Sequence, residues 1–260
     1  MNIVVCIKQV PETTQVQIDP KTNTLIREGV TSIINPFDMY AIEEGIRLKE
    51  KFGGKTTVIT MGPPQADSAL REAISLGCDE GILLSDRAFA GSDTLATSYT
   101  MAMAIRKIKE FDMIICGKQA SDGDTAQVGP GISAHLDIPQ ITYVKKIEEI
   151  KDNQIVVERM TEEGFEIIKM PLPCLITVVK EINEPRLPSL KGMMRAKSAK
   201  INMWKAIDLE MEEDRIGLRG SPTQVIKIFT PQARPKGQIF DGSPEEAVEK
   251  LLDTLKDLTI

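Results

Sequence analysis

Along the first half of the chain two patterns take turns: short, near-continuous apolar runs and longer amphipathic stretches. Asn2 to Val10 (NIVVCIKQV), Lys55 to Met61 (KTTVITM), Gly81 to Leu84 and Phe111 to Ile115 are of the first kind, the signature of strands covered on both faces. Between them the apolar positions fall at helical spacing. Pro36, suited to a first helical turn, opens a helix that turns Ala41, Ile42, Gly45, Ile46 and Leu48 toward the sheet and Glu43, Glu44, Arg47 and Lys49 outward. It ends near Gly53-Gly54. A second helix starts at Gly62-Pro63-Pro64, carries Ala66, Ala69, Leu70, Ala73, Ile74 and Leu76, and stops at Gly77. A third, capped by Ser92, runs to about Lys109 with Ala96, Tyr99, Met103, Ile105 and Ile108 inward. Strict strand–helix alternation predicts an α/β fold with a doubly wound, mostly parallel, Rossmann-like sheet. Such sheets take ligands outside the carboxyl ends of their strands. Those ends are Lys8 to Pro11, Thr60 to Pro63, the loop after Leu84, and Cys116 to Gly131.

The second half reads differently. Thr142 to Ile150, Gln154 to Arg159, Glu166 to Met170 and Cys174 to Val179 look like strands joined by tight turns at Lys151-Asp-Asn153 and Glu162-Glu-Gly164, predicting an antiparallel extension of the sheet. Val16 to Arg27 reads as a small hairpin around Asp19-Pro-Lys-Thr-Asn23. From Asp208 on, the chain reads as an extended arm broken by Pro222, Pro231 and Pro235. It closes in an amphipathic helix that Ser243-Pro-Glu-Glu caps, with Ala247, Val248, Leu251, Leu252 and Leu255 on one stripe. That stripe cannot be buried by the arm alone, so the arm either folds back or embraces another subunit, and the second is preferred. The expected organisation is a domain over 1–206 and an arm over 207–260.

Composition narrows the function classes. The 260 residues are 42% hydrophobic and 4% aromatic, and 32 Lys plus Arg face 38 Asp plus Glu for a net charge of −6. An acidic chain with few aromatics is a poor nucleic-acid binder. The four cysteines (Cys6, Cys78, Cys116 and Cys174) form no C-x-x-C pair, which argues against a metal or iron–sulfur site and for buried small hydrophobes. No apolar run approaches the length of a membrane span and the start MNIVVCIKQV lacks a secretory pattern, so no membrane insertion and a cytoplasmic location are expected. His135 is the one histidine, with no nucleophile beside it, so Ser-His-Asp and Cys-His catalysis are excluded. No catalytic side chain is expected. Any redox chemistry would have to come from a bound cofactor.

The stretch that organises the chain is Cys116-Gly-Lys-Gln-Ala-Ser-Asp-Gly-Asp-Thr-Ala-Gln-Val-Gly-Pro-Gly131. It joins a buried strand to a helix at Ile132 to Leu136, an arrangement that places backbone N–H groups and a helix N-terminus at the sheet's carboxyl edge. Gly117 and Gly123 permit turns and close approach. Asp122 and Asp124 would repel phosphate and suit ribose hydroxyls or backbone amides. Thr125, Gln127 and the amides of Asp124 to Val128 are better placed for a pyrophosphate. An ordinary Asp-Gly turn with an N-cap is the competing reading. Farther on, Arg186 to Lys205 holds only basic charges, with Leu190, Met193 and Met194 among them and Arg195 adjoining. A solvated loop is one reading, and a partner-docking loop suited to an adaptable acidic surface is preferred.

These segments resemble a known family. VCIKQVP at Val5 to Pro11, INPFD at Ile34 to Asp38, VITMGPP at Val58 to Pro64, GKQASDGDTAQVGP at Gly117 to Pro130 and NEPRLPSLKGMMRAK at Asn183 to Lys197 look like the beta subunit of electron transfer flavoproteins. The resemblance implies a heterodimer with an alpha subunit, and electron exchange with acyl-CoA-dehydrogenase-like or 2-hydroxy-acid dehydrogenase partners. It puts the nucleotide site on Cys6, on Asn35, Pro36, Phe37 and Asp38, on Met61, and on Asp122, Gly123, Asp124, Thr125, Ala126, Gln127, Val128, Gly129, Pro130, Gly131, Ile132 and Ser133. It puts the partner-recognition loop on about 185–200, with Leu190 as anchor, and the arm on the alpha subunit. The Asp122-Gly-Asp-Thr-Ala-Gln-Val-Gly-Pro form, and the loop from Asp86 to Thr94, look like the electron-bifurcating class, which implies FAD in this subunit, NADH as donor and ferredoxin as one acceptor. A respiratory-type subunit holding AMP is the alternative, and a non-redox adenine-nucleotide-binding module a more distant one.

Overall fold

The computed structural model describes residues 1–12, 32–226 and 237–256. The chain divides into two units, Met1–Ile228 and Phe229–Ile260. In the first, β1 (Asn2–Cys6) is followed by β2 (Gln9–Pro11), β3 (Ser32–Ile34), α1 (Pro36–Phe52) and β4 (Lys55–Met61). Next come α2 (Asp67–Leu76), β5 (Glu80–Leu84), α3 (Thr94–Ile108), β6 (Met113–Gly117) and α4 (Val128–Leu136). The later elements are β7 (Gln140–Lys151), β8 (Gln154–Met160), β9 (Phe165–Pro171), β10 (Cys174–Val178), α5 (Leu190–Ser198) and β11 (Ile201–Trp204).

One nine-stranded sheet runs β11-β5-β4-β1-β6-β10-β7-β8-β9. All its pairings are parallel except β7 with β8 and β8 with β9. Alternation along β1 divides the core. Ile3 and Val5 pack with α1 and α2, while Val4 and Cys6 pack with α3 and α4. The doubly wound expectation is therefore met, with β1 central and the chain crossing from β5 back over it to β6. Among the described residues, no helix is long and apolar enough to cross a membrane, and no group of three or more His, Cys, Asp or Glu could hold a metal. All four cysteines are buried and free.

Several expectations need correcting. The run Asn2 to Val10 is not one strand: after Cys6 the backbone leaves the sheet, with the Lys8 N–H on the Asp38 carboxylate at 2.7 Å and the Lys8 carbonyl accepting from the Asn35 N–H at 2.8 Å. Gln9–Pro11 then pairs antiparallel with β3 in a separate ribbon. Cys174–Val178 is not in the antiparallel extension. All five of its residues are buried, and it inserts in parallel between β6 and β7. The cap of α3 is Asp93, whose carboxylate accepts the Leu95 and Ala96 N–H groups, not Ser92. A turn at Pro64–Ala66 precedes α2, and α4 begins at Val128 rather than Ile132.

Glu43 and Glu44 do not face water. They are 3% and 8% exposed, because later parts of the chain supply their partners. Arg186 forks onto Glu43 and Glu50, and Asn183 donates to Glu44 at 3.0 Å. Burial pushes Glu44 above the ordinary range. Burial also opposes ionisation of Glu43, but the hydrogen bonds from Arg186 and Arg47 outweigh it and hold that carboxyl low. The chain beyond Asp208 also returns to the core: Leu209 and Ile216 are buried among the residues of α3 and α4. In the second unit α6 (Pro244–Lys256) begins with a reciprocal cap. The Ser243 Oγ accepts the Glu246 N–H at 3.3 Å, and the Glu246 carboxylate accepts the Ser243 N–H at 3.2 Å. Val248, Leu251 and Leu252 are exposed on it. The hairpin expected over Val16 to Arg27, and Pro231 and Pro235, lie outside the described residues.

Candidate nucleotide site at the switch point

The carboxyl ends of β1 and β6 lie side by side, Cys6 opposite Cys116, where the chain direction of the winding reverses. A crevice forms at such a point because the two following connections leave on opposite faces. Three polar residues lock its walls together. The Asn35 side chain donates to the Gln119 carbonyl at 2.8 Å and accepts the Ser121 N–H at 3.0 Å, clamping the loop after β6 to the start of α1. The Lys8 ammonium pairs with the Asp122 carboxylate at 2.6 Å. Asp38, in the first turn of α1, accepts the Lys8 N–H and is only 6% exposed. Gly117 is needed beside it: a Cβ there would strike the Asp38 carboxylate and lie 2.7 Å from the Phe37 carbonyl carbon.

Asp38 is the electrostatic outlier of the site. Burial, against weaker opposition from hydrogen bonds to Asn35, Lys8 and Gly117, raises its pKa from 3.8 to about 7. Cys116 is raised as well, first by its hydrogen bond with Cys6 and then by burial, which makes the Cys116 thiol a poor nucleophile.

Beyond the clamp, the loop turns twice through left-handed backbone, Asp124 at φ 54° and Ala126 at φ 55°. Left-handed geometry at a non-glycine residue costs on the order of 1–2 kcal/mol. It persists here where the loop must deliver its backbone to α4. The Asp124 carboxylate is held by the Gln119 side chain, and Gln127 accepts from the Thr94 hydroxyl at 3.2 Å. No side chain caps the first turn of α4, which leaves its first N–H groups and positive dipole end without a side-chain partner among the described residues. A Cβ on Gly123 would meet no atom of the chain within 4 Å.

The expected site residues thus separate. Asn35, Pro36, Phe37, Asp38, Cys6 and the 122–128 segment come together at the switch point, and Met61 ends the neighbouring β4. Farther into α4, Gly129 packs against Thr177 and Leu175, Gly131 against Ser98, and Ile132 is core. The Ser133 hydroxyl is spent on the Ile138 carbonyl at 2.6 Å. Pro130 sits inside the same short helix. These residues build the wall that aims the helix end. Sequence reasoning placed Lys8 at a strand end bordering the crevice but gave its side chain no role, which the pair with Asp122 supplies. It missed Lys118, whose ammonium lies 5.7 Å from the Phe37 ring centre and 5.2 Å from that of Tyr143.

The basic segment is no loop. It contains α5, capped by the Ser189 hydroxyl on the Gly192 N–H. Arg195 is not free, since its guanidinium donates to the Ile74 and Cys78 carbonyls at the end of α2 at 2.8 and 2.7 Å. Leu190 and Met194 stand out into solvent, and Met193 less so.

Fold and crevice together define an α/β protein of the doubly wound class, with an uncapped helix end at its switch point. The chain belongs to the electron transfer flavoprotein family: the model described as "Electron transfer flavoprotein domain" matches residues 22–209. Among its relatives are the "Electron transfer flavoprotein subunit beta" of Thermoanaerobacterium thermosaccharolyticum, 54% identical over 98% of both chains, and "Protein FixA" of Azotobacter vinelandii, 48% identical over 98% of this chain and 94% of that one. The "Caffeyl-CoA reductase-Etf complex subunit CarD" of Acetobacterium woodii is 48% identical, over 99% of this chain and 98% of the relative.

Proposed function

We propose that the chain is the beta subunit of an electron-bifurcating electron transfer flavoprotein, paired with an alpha subunit and holding FAD at the switch point. The residues suit that group. The uncapped turn of α4, with Thr125, Gln127 and the amides up to Val128, would receive the pyrophosphate. Lys8 balances Asp122, so the acidic loop carries less repulsion toward phosphate than its sequence suggests. The observation that carries FAD over the smaller AMP is the open space at Gly123. Bound there, FAD would supply two-electron exchange with NADH and one-electron exchange with ferredoxin and with the alpha-subunit FAD, which in turn serves the partner dehydrogenase. The chain's own work is to bind, orient and exclude water. Asn35 and Asp38 fix the loops, and the buried Cys6 and Cys116 close the crevice floor. The relative named as part of a caffeyl-CoA reductase complex supports a partner dehydrogenase as the destination of one electron.

Acid extraction and chromatography of the co-expressed heterodimer test the reading. Two FAD per heterodimer without AMP is expected. One FAD with one AMP would replace it with a subunit that holds AMP structurally, and the roles of NADH and ferredoxin would fall.

A further inference from the structure

On the outer side of α3 and α4 lies a second cleft of about 290 Å³. Leu95 and Tyr99 of α3 and His135 of α4 form its floor, and Arg215, Arg219 and the turn at Gly220 to Pro222 its roof. The roof is firmly tied down. Ile216 is buried, the Tyr99 hydroxyl accepts the Glu212 N–H at 2.9 Å, and the Ser221 hydroxyl accepts the Asp93 N–H at 2.9 Å.

Its lining carries two arginines, Arg215 and Arg219, against one carboxylate, Asp214, in a chain of net charge −6. The Arg215 guanidinium stacks on the Tyr99 ring at 3.9 Å, and the His135 ring meets Tyr99 edge-on at 5.5 Å. Stacking holds the planar fork in place while leaving its edge able to donate. Arg106 backs the floor, donating to the His135 carbonyl at 2.6 Å. Arg219 is exposed and has no ion pair among the described residues. The opposing charges are Asp214 in the lining and Glu212, which reaches Arg215 at 3.2 Å on the solvent side. Burial first, and then the charges of Arg215 and Arg106, hold the His135 imidazole below its ordinary pKa.

We propose that this cleft is an anion site, separate from the switch point, that takes a phosphate group carried on a small apolar or ring-bearing body. Arg215 and Arg219 receive the phosphate, and the half-exposed Leu95 beside Tyr99 offers the apolar shelf. The volume sits at the lower end of ligand cavities, which run from roughly 300 Å³ upward. It therefore admits a phosphate with one ring, or the phosphate end of a longer molecule, but not a whole dinucleotide. The proposal does not depend on what the switch point holds.

The one histidine is the reporter. A heterodimer in which only this chain carries ring-labelled histidine is titrated, at matched ionic strength, with inorganic phosphate, phenyl phosphate and NADH, and the imidazole signals are followed by NMR against pH. Bound anion offsets the arginines, so the His135 titration should move upward. Phenyl phosphate acting at lower concentration than inorganic phosphate would assign the shelf to a free phosphorylated ligand. A shift with NADH alone would assign the cleft to the phosphate end of a dinucleotide. Arg219→Gln, at an exposed position, should weaken the response by about tenfold, the order expected for one charged hydrogen bond. Arg215→Lys, which keeps the charge and loses the stack, should weaken it as well. No movement of His135 with any probe, or the same movement in wild type and Arg219→Gln, overturns the proposal.

Discussion

Asp38 makes the folded chain's stability depend on pH in an unusual direction. Its carboxyl titrates at about 7 in the fold against 3.8 for an ordinary aspartate. Between those values the folded state keeps a proton that the unfolded chain has already lost, so raising the pH favours unfolding. Of that span, the part between about pH 5 and pH 7 is worth about 3 kcal/mol at ~1.4 kcal/mol per pH unit. The loss should level off above about pH 8, where both states are ionised. The groups facing Asp38 are the Lys8 and Gly117 N–H donors, the Asn35 amide, the Lys8 charge and the buried thiol of Cys116. Asp38→Asn places an amide of nearly the same shape as the neutral acid. The variant should exceed wild type by about 2 kcal/mol at about pH 5 and by about 4 kcal/mol at about pH 8, less the loss of one accepted hydrogen bond. Urea unfolding of both proteins at one fixed protomer concentration measures this, because a change of midpoint at constant slope is a change of stability. Parallel pH curves for the two proteins would show that the Asp38 carboxyl is not held neutral by its burial.

Gly123→Val should lower FAD occupancy by extraction while the heterodimer still elutes intact, and unchanged occupancy would sink the space argument. Leu190→Ala should slow electron transfer to the partner dehydrogenase in stopped-flow assays yet leave reduction by NADH at its wild-type rate; a loss of NADH reduction would mean that the docking assignment is wrong. Arg186→Ala leaves the buried Glu43 with Arg47 alone. Because the lost guanidinium is partly in water, the cost should be about 1–3 kcal/mol in urea unfolding rather than the larger figure for a fully buried pair, and a change under ~0.5 kcal/mol would assign the network to solvent-screened pairing.

Where the sequence was legible, local chemistry decided the outcome. KTTVITM forms the whole of β4, and the helix from Pro36 ends at Gly53. A strand's apolar run, however, does not say which way its neighbours point. Cys174–Val178 therefore read as the next strand of a meander when it is a buried parallel strand. Helical periodicity placed Glu43 and Glu44 on the outer face of α1 because their partners, Arg186 and Asn183, stand 143 and 139 residues away. The same distance effect hid the return of Leu209 and Ile216 to the α3 side. At the crevice, the residue types were visible and their division of labour was not. Asn35 clamps, Asp38 ties two strand ends, and Gly129 to Ser133 build wall, and each role depends on contacts across the sheet.

The basic segment makes the same point in reverse. A surface helix normally buries its apolar side and leaves charges in water. In α5 the apolar side is reduced to one buried residue. Ala196 packs inward, Arg195 closes the end of α2, and Arg71 of α2 reaches back to the Ala196 and Ala199 carbonyls at 2.8 and 3.1 Å. Gly192 lets the two helices meet, since a Cβ there would collide with the Ser75 carbonyl. Upstream, the Arg186 fork on Glu43 and Glu50 pins the entry to α1. Leu190 and Met194, meanwhile, are 79% and 74% exposed. Polar side chains do the anchoring and apolar ones are presented, which costs hydration with no return inside this chain. A rigid base under a flexible apolar tip is the design expected of a surface that meets a partner briefly and lets it go. On the same layout a substitution at Leu190 should leave the crevice undisturbed, since among the described residues no anchoring hydrogen bond of α5 passes through that side chain.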